Sequence, residues 1–143
     1  MIRLRGHVTT GFGVAGGNLH HLEGLIAHRS GLPQIVTGTL NVRLSESYFV
    51  KPDHALSARE YNGHEVILLQ RAVISGIAAL IMRPHTHELD EGYGHGTTTL
   101  ELVAPIHLRS HLELQNGSEV AVELEVTMRG GALRAAPSND RCS

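Results

Sequence analysis

Asn116-Gly117-Ser118-Glu119-Val120-Ala121-Val122-Glu123-Leu124-Glu125-Val126-Thr127-Met128 decides the fold class. Val120, Val122, Leu124, Val126 and Met128 recur at every second position, the period of a strand with one buried face. Asn-Gly ahead of it is a strong turn signal, because both residues tolerate positive φ. Working back along the chain, the same period returns. Residues 2–10 alternate and are rich in β-formers, and 37–44 puts Leu40, Val42 and Leu44 on one face. Stretches 64–71, 72–83 and 97–104 read as three further strands, with Ser75-Gly76 as a weak break. One segment keeps a different period. Leu19, Leu22, Leu25 and Ile26 fall at helical spacing, with Asn18 as N-cap and Arg29 and Gly31 closing the helix. Pro105 at a first helical position predicts a short helix as far as His111. Residues 45–63 read as irregular, with Lys51-Pro52-Asp53 as a turn, and 84–96 as a long loop. Residues 129–143 read as a disordered tail rich in Gly, Ala and Ser. The sum is a mainly β chain: one domain over residues 1–128, a small β-barrel of about six strands with one or two short helices.

Composition narrows the function. A chain of 143 residues, 41% apolar and 18% charged, has enough apolar surface for a core. Its net charge of −2 carries no electrostatic footprint for DNA or RNA, so no nucleic-acid partner is expected. No apolar run approaches the roughly 18 residues of a membrane span, and no signal-peptide block opens the sequence. Cys142 stands alone, so no intrachain disulfide forms, and the chain reads as cytoplasmic. Aromatic residues are few (Phe12, Phe49, Tyr48, Tyr61 and Tyr93) whereas His numbers 11.

Two motifs carry chemistry. Gly11-Phe12-Gly13-Val14-Ala15-Gly16 matches G-x-G-x-x-G between a strand and a helix. No acidic residue lies between Glu23 and Glu46, however, and no β-α-β alternation follows, so a dinucleotide fold is not expected. What survives is physical: glycines let backbone N–H groups approach phosphates closely. The second motif is Thr37-Gly38-Thr39-Leu40-Asn41-Val42. Thr39 and Asn41, two apart on a strand, present a hydroxyl and an amide oxygen on one face. Such neutral oxygens suit Mg²⁺ beside a nucleotide, and equally suit a polar strand face in water.

Taken in order, these motifs resemble the archaeal CTP-dependent riboflavin kinases. The landmarks are Gly6-His7-Val8-Thr9-Thr10-Gly11-Phe12-Gly13, Gly38-Thr39-Leu40-Asn41-Val42, Glu101-Leu102-Val103-Ala104-Pro105, Leu108-Arg109 and Asn116-Gly117-Ser118-Glu119-Val120. The resemblance implies a cradle-loop β-barrel that moves the γ-phosphate of CTP to the 5′-hydroxyl of riboflavin, giving FMN and CDP. It implies that Phe12, Gly13, Val14, Ala15, Gly16 and Gly17 cradle the nucleotide and that Ile106, His107, Leu108 and Arg109 touch it. It implies Thr39 and Asn41 as Mg²⁺ ligands, with Tyr93 and Glu101 as flavin contacts. In that setting Glu101 orients or deprotonates the acceptor hydroxyl, and the Arg109 cation takes phosphate charge. Arg109 also reads as a surface residue on a short helix. A monomer or weak dimer is expected.

The histidines support a rival. His85-Thr86-His87 with Glu91 matches part of the cupin metal motif, whose i,i+2 imidazoles converge on a metal. Proline and glycine around the stretch favour solvated loop histidines instead. A non-catalytic nucleotide- or flavin-binding barrel is the third reading.

Overall fold

The computed structural model describes residues 2–9, 22–36, 40–63, 65–85, 88 and 96–124. The glycine-rich loop 11–17, the Asn18 cap, Thr39, His87, Glu91, Tyr93 and the tail 129–143 lie outside the described residues.

Among the described residues are seven strands: β1 (Ile2–Thr9), β2 (Leu40–Leu44), β3 (His54–Leu56), β4 (Ile67–Ile74), β5 (Ile77–Pro84), β6 (Thr99–Val103) and β7 (Glu119–Leu124). Six of them close on themselves in the order β4-β5-β6-β2-β1-β7, with β7 returning to β4, and every pairing is antiparallel. The expected mainly β barrel is therefore the observed fold. The extra strand β3 pairs with the first half of β4, His54 opposite Leu69 and Leu56 opposite Ile67. The second half of β4 meets β7 at Val73↔Glu123 and Ile74↔Val122. Three short helices are described: α1 (Glu23–Ser30), α2 (Ala58–Tyr61) and α3 (Leu108–His111). No described helix is long and apolar enough to cross a membrane.

The alternation read from sequence fills the barrel. Val8, Leu40, Val42, Leu44, Leu100, Leu102, Val122 and Leu124 pack into one interior cluster. A second cluster lies on the outside of β4, β5 and β6. Ile67, Leu69, Leu80, Met82 and Val103 are covered there by Leu22 and Ile26 of the α1 segment and by Leu56 of β3. Both faces of β4 and β5 are thus buried, which is why their sequences run almost continuously apolar instead of alternating. Arg29 of α1 pairs with Glu60 of α2, whose carboxyl also accepts from the Ser57 N–H at 2.8 Å. The pairing and that hydrogen bond hold the Glu60 carboxyl down at about 2.

Several expected boundaries move. The break placed after residue 71 lies instead at Ser75-Gly76, where φ is +49° and +80°, the two-residue turn of a hairpin. The "irregular" stretch 45–63 contains β3 and α2, and Ser57-x-x-Glu60 marks the start of that helix. The first helix begins at Glu23, and Gly31 closes it in the left-handed region as expected. Pro105 does not begin a helix. The Ala104 and Pro105 carbonyls are held by Val36 N–H (2.9 Å) and the Gln34 side chain (2.9 Å), and the chain bends at Pro105 and Ile106. The helix starts only at Leu108, after His107 accepts from Ser110 N–H at 3.3 Å.

Gly6 sits where β1 crosses β2, opposite Leu44. A Cβ there would collide with the Arg43 carbonyl oxygen and lie 2.8 Å from Val42 Cγ1. Because backbone cannot yield as a flexible side chain does, Gly6→Val is expected to destabilise the barrel by about 1–3 kcal/mol, the range for overpacking. Urea denaturation of the variant checks this, and an unchanged midpoint would contradict it.

Candidate active site

The i,i+2 rule that places alternate residues on one face can be followed across the sheet. Leu40, Val42 and Leu44 point inward, so Asn41 and Arg43 point outward. Asn41 stands opposite Thr9 on β1 and opposite Glu101 on β6, and Glu101 stands opposite Met82 on β5. Thr9, Asn41, Glu101 and Met82 therefore form one row across the outer face of four adjacent strands. Directly opposed side chains on such strands have Cβ atoms about 5 Å apart. Asn41 and Glu101, two of the residues nominated from sequence, are brought together by this register.

The row lies near one end of the barrel. β1 ends at Thr9, two residues before the glycine-rich segment begins, and β2 starts at Leu40, directly after Thr39. β6 runs out at this end into residues 105–109. The Asn116-Gly117 turn is fastened to the same end, with Gly117 N–H on the Val8 carbonyl and Val8 N–H on the Ser118 carbonyl, both at 2.8 Å. Arg109 reaches this turn and donates to Asn116 Oδ1 at 2.8 Å. Within the 106–109 stretch, Leu108 is buried in the interior core and Ile106 packs against it. Leu108 therefore offers a ligand only its backbone, whereas His107 is exposed and Arg109 half-buried.

Glu101 is the electrostatically unusual group. Burial pushes its carboxyl up from the ordinary 4.5 to about 7, with the Arg83 guanidinium pulling the other way. A carboxyl poised there can take a proton near neutral pH. Asn41 offers a hard amide oxygen, and the chemistry of such a donor fits Mg²⁺, which keeps water and substrate oxygens among its ligands. Among the described residues no three His, Cys, Asp or Glu side chains gather as a metal cage. His85 opens the β5–β6 connection with its N–H on the Val66 carbonyl, at 2.9 Å.

Sequence reading missed two features. Arg83 lies in an apolar run yet is buried on the inward side of β5, where it donates to the carbonyls of Tyr48 and Thr99 and to Glu88 Oε2 at 2.7 Å. Only the parity of β5 signals that this arginine points into the barrel. Arg43 is the other. The spacing that paired Thr39 with Asn41 extends one step further to it, on the same face of the same strand.

A family model, CTP-dep_RFKase, described as "Domain of unknown function DUF120", matches residues 34–124. That span holds Asn41, Glu101, the 106–109 stretch and every barrel strand but β1. The chain belongs to the CTP-dependent riboflavin kinase family. Among similar family members, a riboflavin kinase of Pyrobaculum aerophilum is 32% identical over 139 residues, covering 86% of this chain and 60% of the relative. The riboflavin kinase of Pyrobaculum arsenaticum is similar to the same extent, 32% over 139 residues. That of Methanocella arvoryzae is 33% identical over 92 residues, covering 62% of this chain and 40% of the relative. The chain thus spans about three-fifths or less of the length of these family members.

Proposed function

We propose that this chain is a riboflavin kinase, transferring the γ-phosphoryl group of CTP to the 5′-hydroxyl of riboflavin in an Mg²⁺-dependent reaction that yields FMN and CDP. The observation that carries the reading is the cross-strand pair Asn41–Glu101, an amide oxygen beside a carboxyl of raised pKa, at the barrel end from which the glycine-rich segment departs. Family membership and the names of the similar proteins support the same activity.

Phosphoryl transfer asks the protein to position two substrates in line and to balance charge. Asn41, with Thr39 before it, would hold Mg²⁺, which when bound neutralises phosphate charge and orients the phosphates. Backbone N–H groups of residues 13–17 would take up phosphate oxygens, as glycine permits. Glu101 accepts a hydrogen bond from the acceptor hydroxyl and takes its proton as the new P–O bond forms. Arg109, which donates to Asn116 Oδ1, would take phosphate charge.

Incubation with riboflavin, Mg²⁺ and each nucleoside triphosphate in turn, followed by chromatography for FMN, tests the reading. FMN is expected, fastest with CTP. No FMN with any donor would refute it.

A further inference from the structure

We propose that Arg43 supplies the guanidinium that carries negative charge on the transferring phosphoryl group. The inference rests on the riboflavin kinase reading and adds a catalytic residue to it. Three observations lead there. First, Arg43 shares the outward face of β2 with Asn41, two residues along, a separation of about 7 Å between their Cα atoms. Its cross-strand neighbours are His7 on β1 and Thr99 on β6, so it occupies the row next to Thr9–Asn41–Glu101 and lies diagonal to Glu101. An extended arginine side chain, about 7 Å from Cα to guanidinium, bridges that gap. Second, Arg43 is exposed, and among the described residues no carboxylate or carbonyl accepts from its guanidinium. Arg3 is engaged with Glu123, Arg29 with Glu60, Arg83 with Glu88, Arg71 with the Ser30 carbonyl, and Arg109 with Asn116; of the other described arginines, Arg5, Arg43 and Arg59, only Arg43 shares β2 with Asn41. Third, neither cross-strand neighbour of Arg43 is acidic, and the Glu119 carboxylate further along its row, on β7, stands beyond His7, 3.7 Å from the His7 Nε2.

The chemistry calls for such a group. The riboflavin 5′-oxygen forms a bond to the γ-phosphorus while the bond from that phosphorus to the β,γ-bridging oxygen breaks. The electron pair leaves on the β-phosphate of CDP, and the hydroxyl proton passes to Glu101. Charge is spread over three equatorial oxygens in between, and a planar guanidinium can donate two hydrogen bonds to them at once. Arg43 itself neither gains nor loses a proton.

The test is steady-state kinetics of the full chain with riboflavin, CTP and Mg²⁺, comparing wild type, Arg43→Lys and Arg43→Gln. An exposed side chain leaves the fold intact, which a thermal melt checks. Arg43→Gln is expected to lower kcat by about 10²–10³-fold, the effect of removing one preorganised donor from a developing anion, with KM for both substrates within about threefold. Arg43→Lys keeps the charge without the fork and falls between the two. If wild type forms FMN and Arg43→Gln retains its kcat, the inference is overturned while the function stands. A rise in the KM for riboflavin alone overturns it equally. If wild type forms no FMN, the function and the inference fall together.

Discussion

Glu101→Gln is expected to lower kcat by about 10²–10⁴-fold, the contribution of a positioned general base. It should also abolish the acidic limb of the pH profile. With the Glu101 carboxyl at about 7, wild-type kcat/KM falls as pH drops below neutrality, because the base becomes protonated. The glutamine variant has no such group to titrate. A second consequence has the opposite sign. Because the folded value lies above the ordinary 4.5, the folded state holds this proton more tightly than the unfolded chain. The stability contributed by that proton is complete below pH 4.5 and is lost as pH rises through about 7. Glu101→Gln, which stays neutral, should therefore be more stable than wild type at pH 8, by about 1–2 kcal/mol after solvent screening, and nearly equal to it at pH 4. Urea denaturation at both pH values reads the difference. A glutamine variant with full turnover, or with no stability gain at pH 8, would contradict this account of the site.

The second large effect concerns folding. Arg83, at 2% side-chain exposure, and Glu88, at 10%, form a buried ion pair. The pair ties several segments together. Arg83 holds the carbonyls of Tyr48 and Thr99, and Glu88 Oε2 also accepts from Val50 N–H at 2.6 Å. Gln70 continues the network, accepting from the Tyr48 hydroxyl at 2.8 Å and Lys51 N–H at 2.9 Å. Removing one ion leaves the other desolvated and unpaired, so Arg83→Met is expected to cost about 3–5 kcal/mol. Combining it with Glu88→Gln should cost clearly less than the sum of the single changes, since both abolish one interaction. Chemical denaturation of the three variants completes the cycle. Additive losses would show that the pair does not act as a unit.

Much of this protein was legible in its sequence because β structure writes its period directly. The alternation through Val120, Val122 and Leu124, and through Leu40, Val42 and Leu44, is the interior of the barrel seen in one dimension. Legibility failed where that premise fails. β4 and β5 are buried on both faces, so their apolar runs conceal the turn, and the hairpin at Ser75-Gly76 appeared only as a weak break. β3 has three residues, too few to show a period at all. The site divides in the same way. Asn41 was reachable from spacing, and Glu101 from family resemblance, but their apposition depends on a cross-strand register that local sequence does not encode. The raised Glu101 carboxyl has the same origin, because it follows from burial in the folded barrel.

The barrel is not equally fastened all the way round. Among the described residues, β4 and β7 join through two residue pairs, against eight between β4 and β5 and six between β1 and β7. That short seam is where amide hydrogen exchange should first report opening. Thr9, Asn41 and Glu101 sit on β1, β2 and β6, strands that stay paired to one another when the seam parts. The barrel can breathe along its back without disturbing the face proposed for the chemistry.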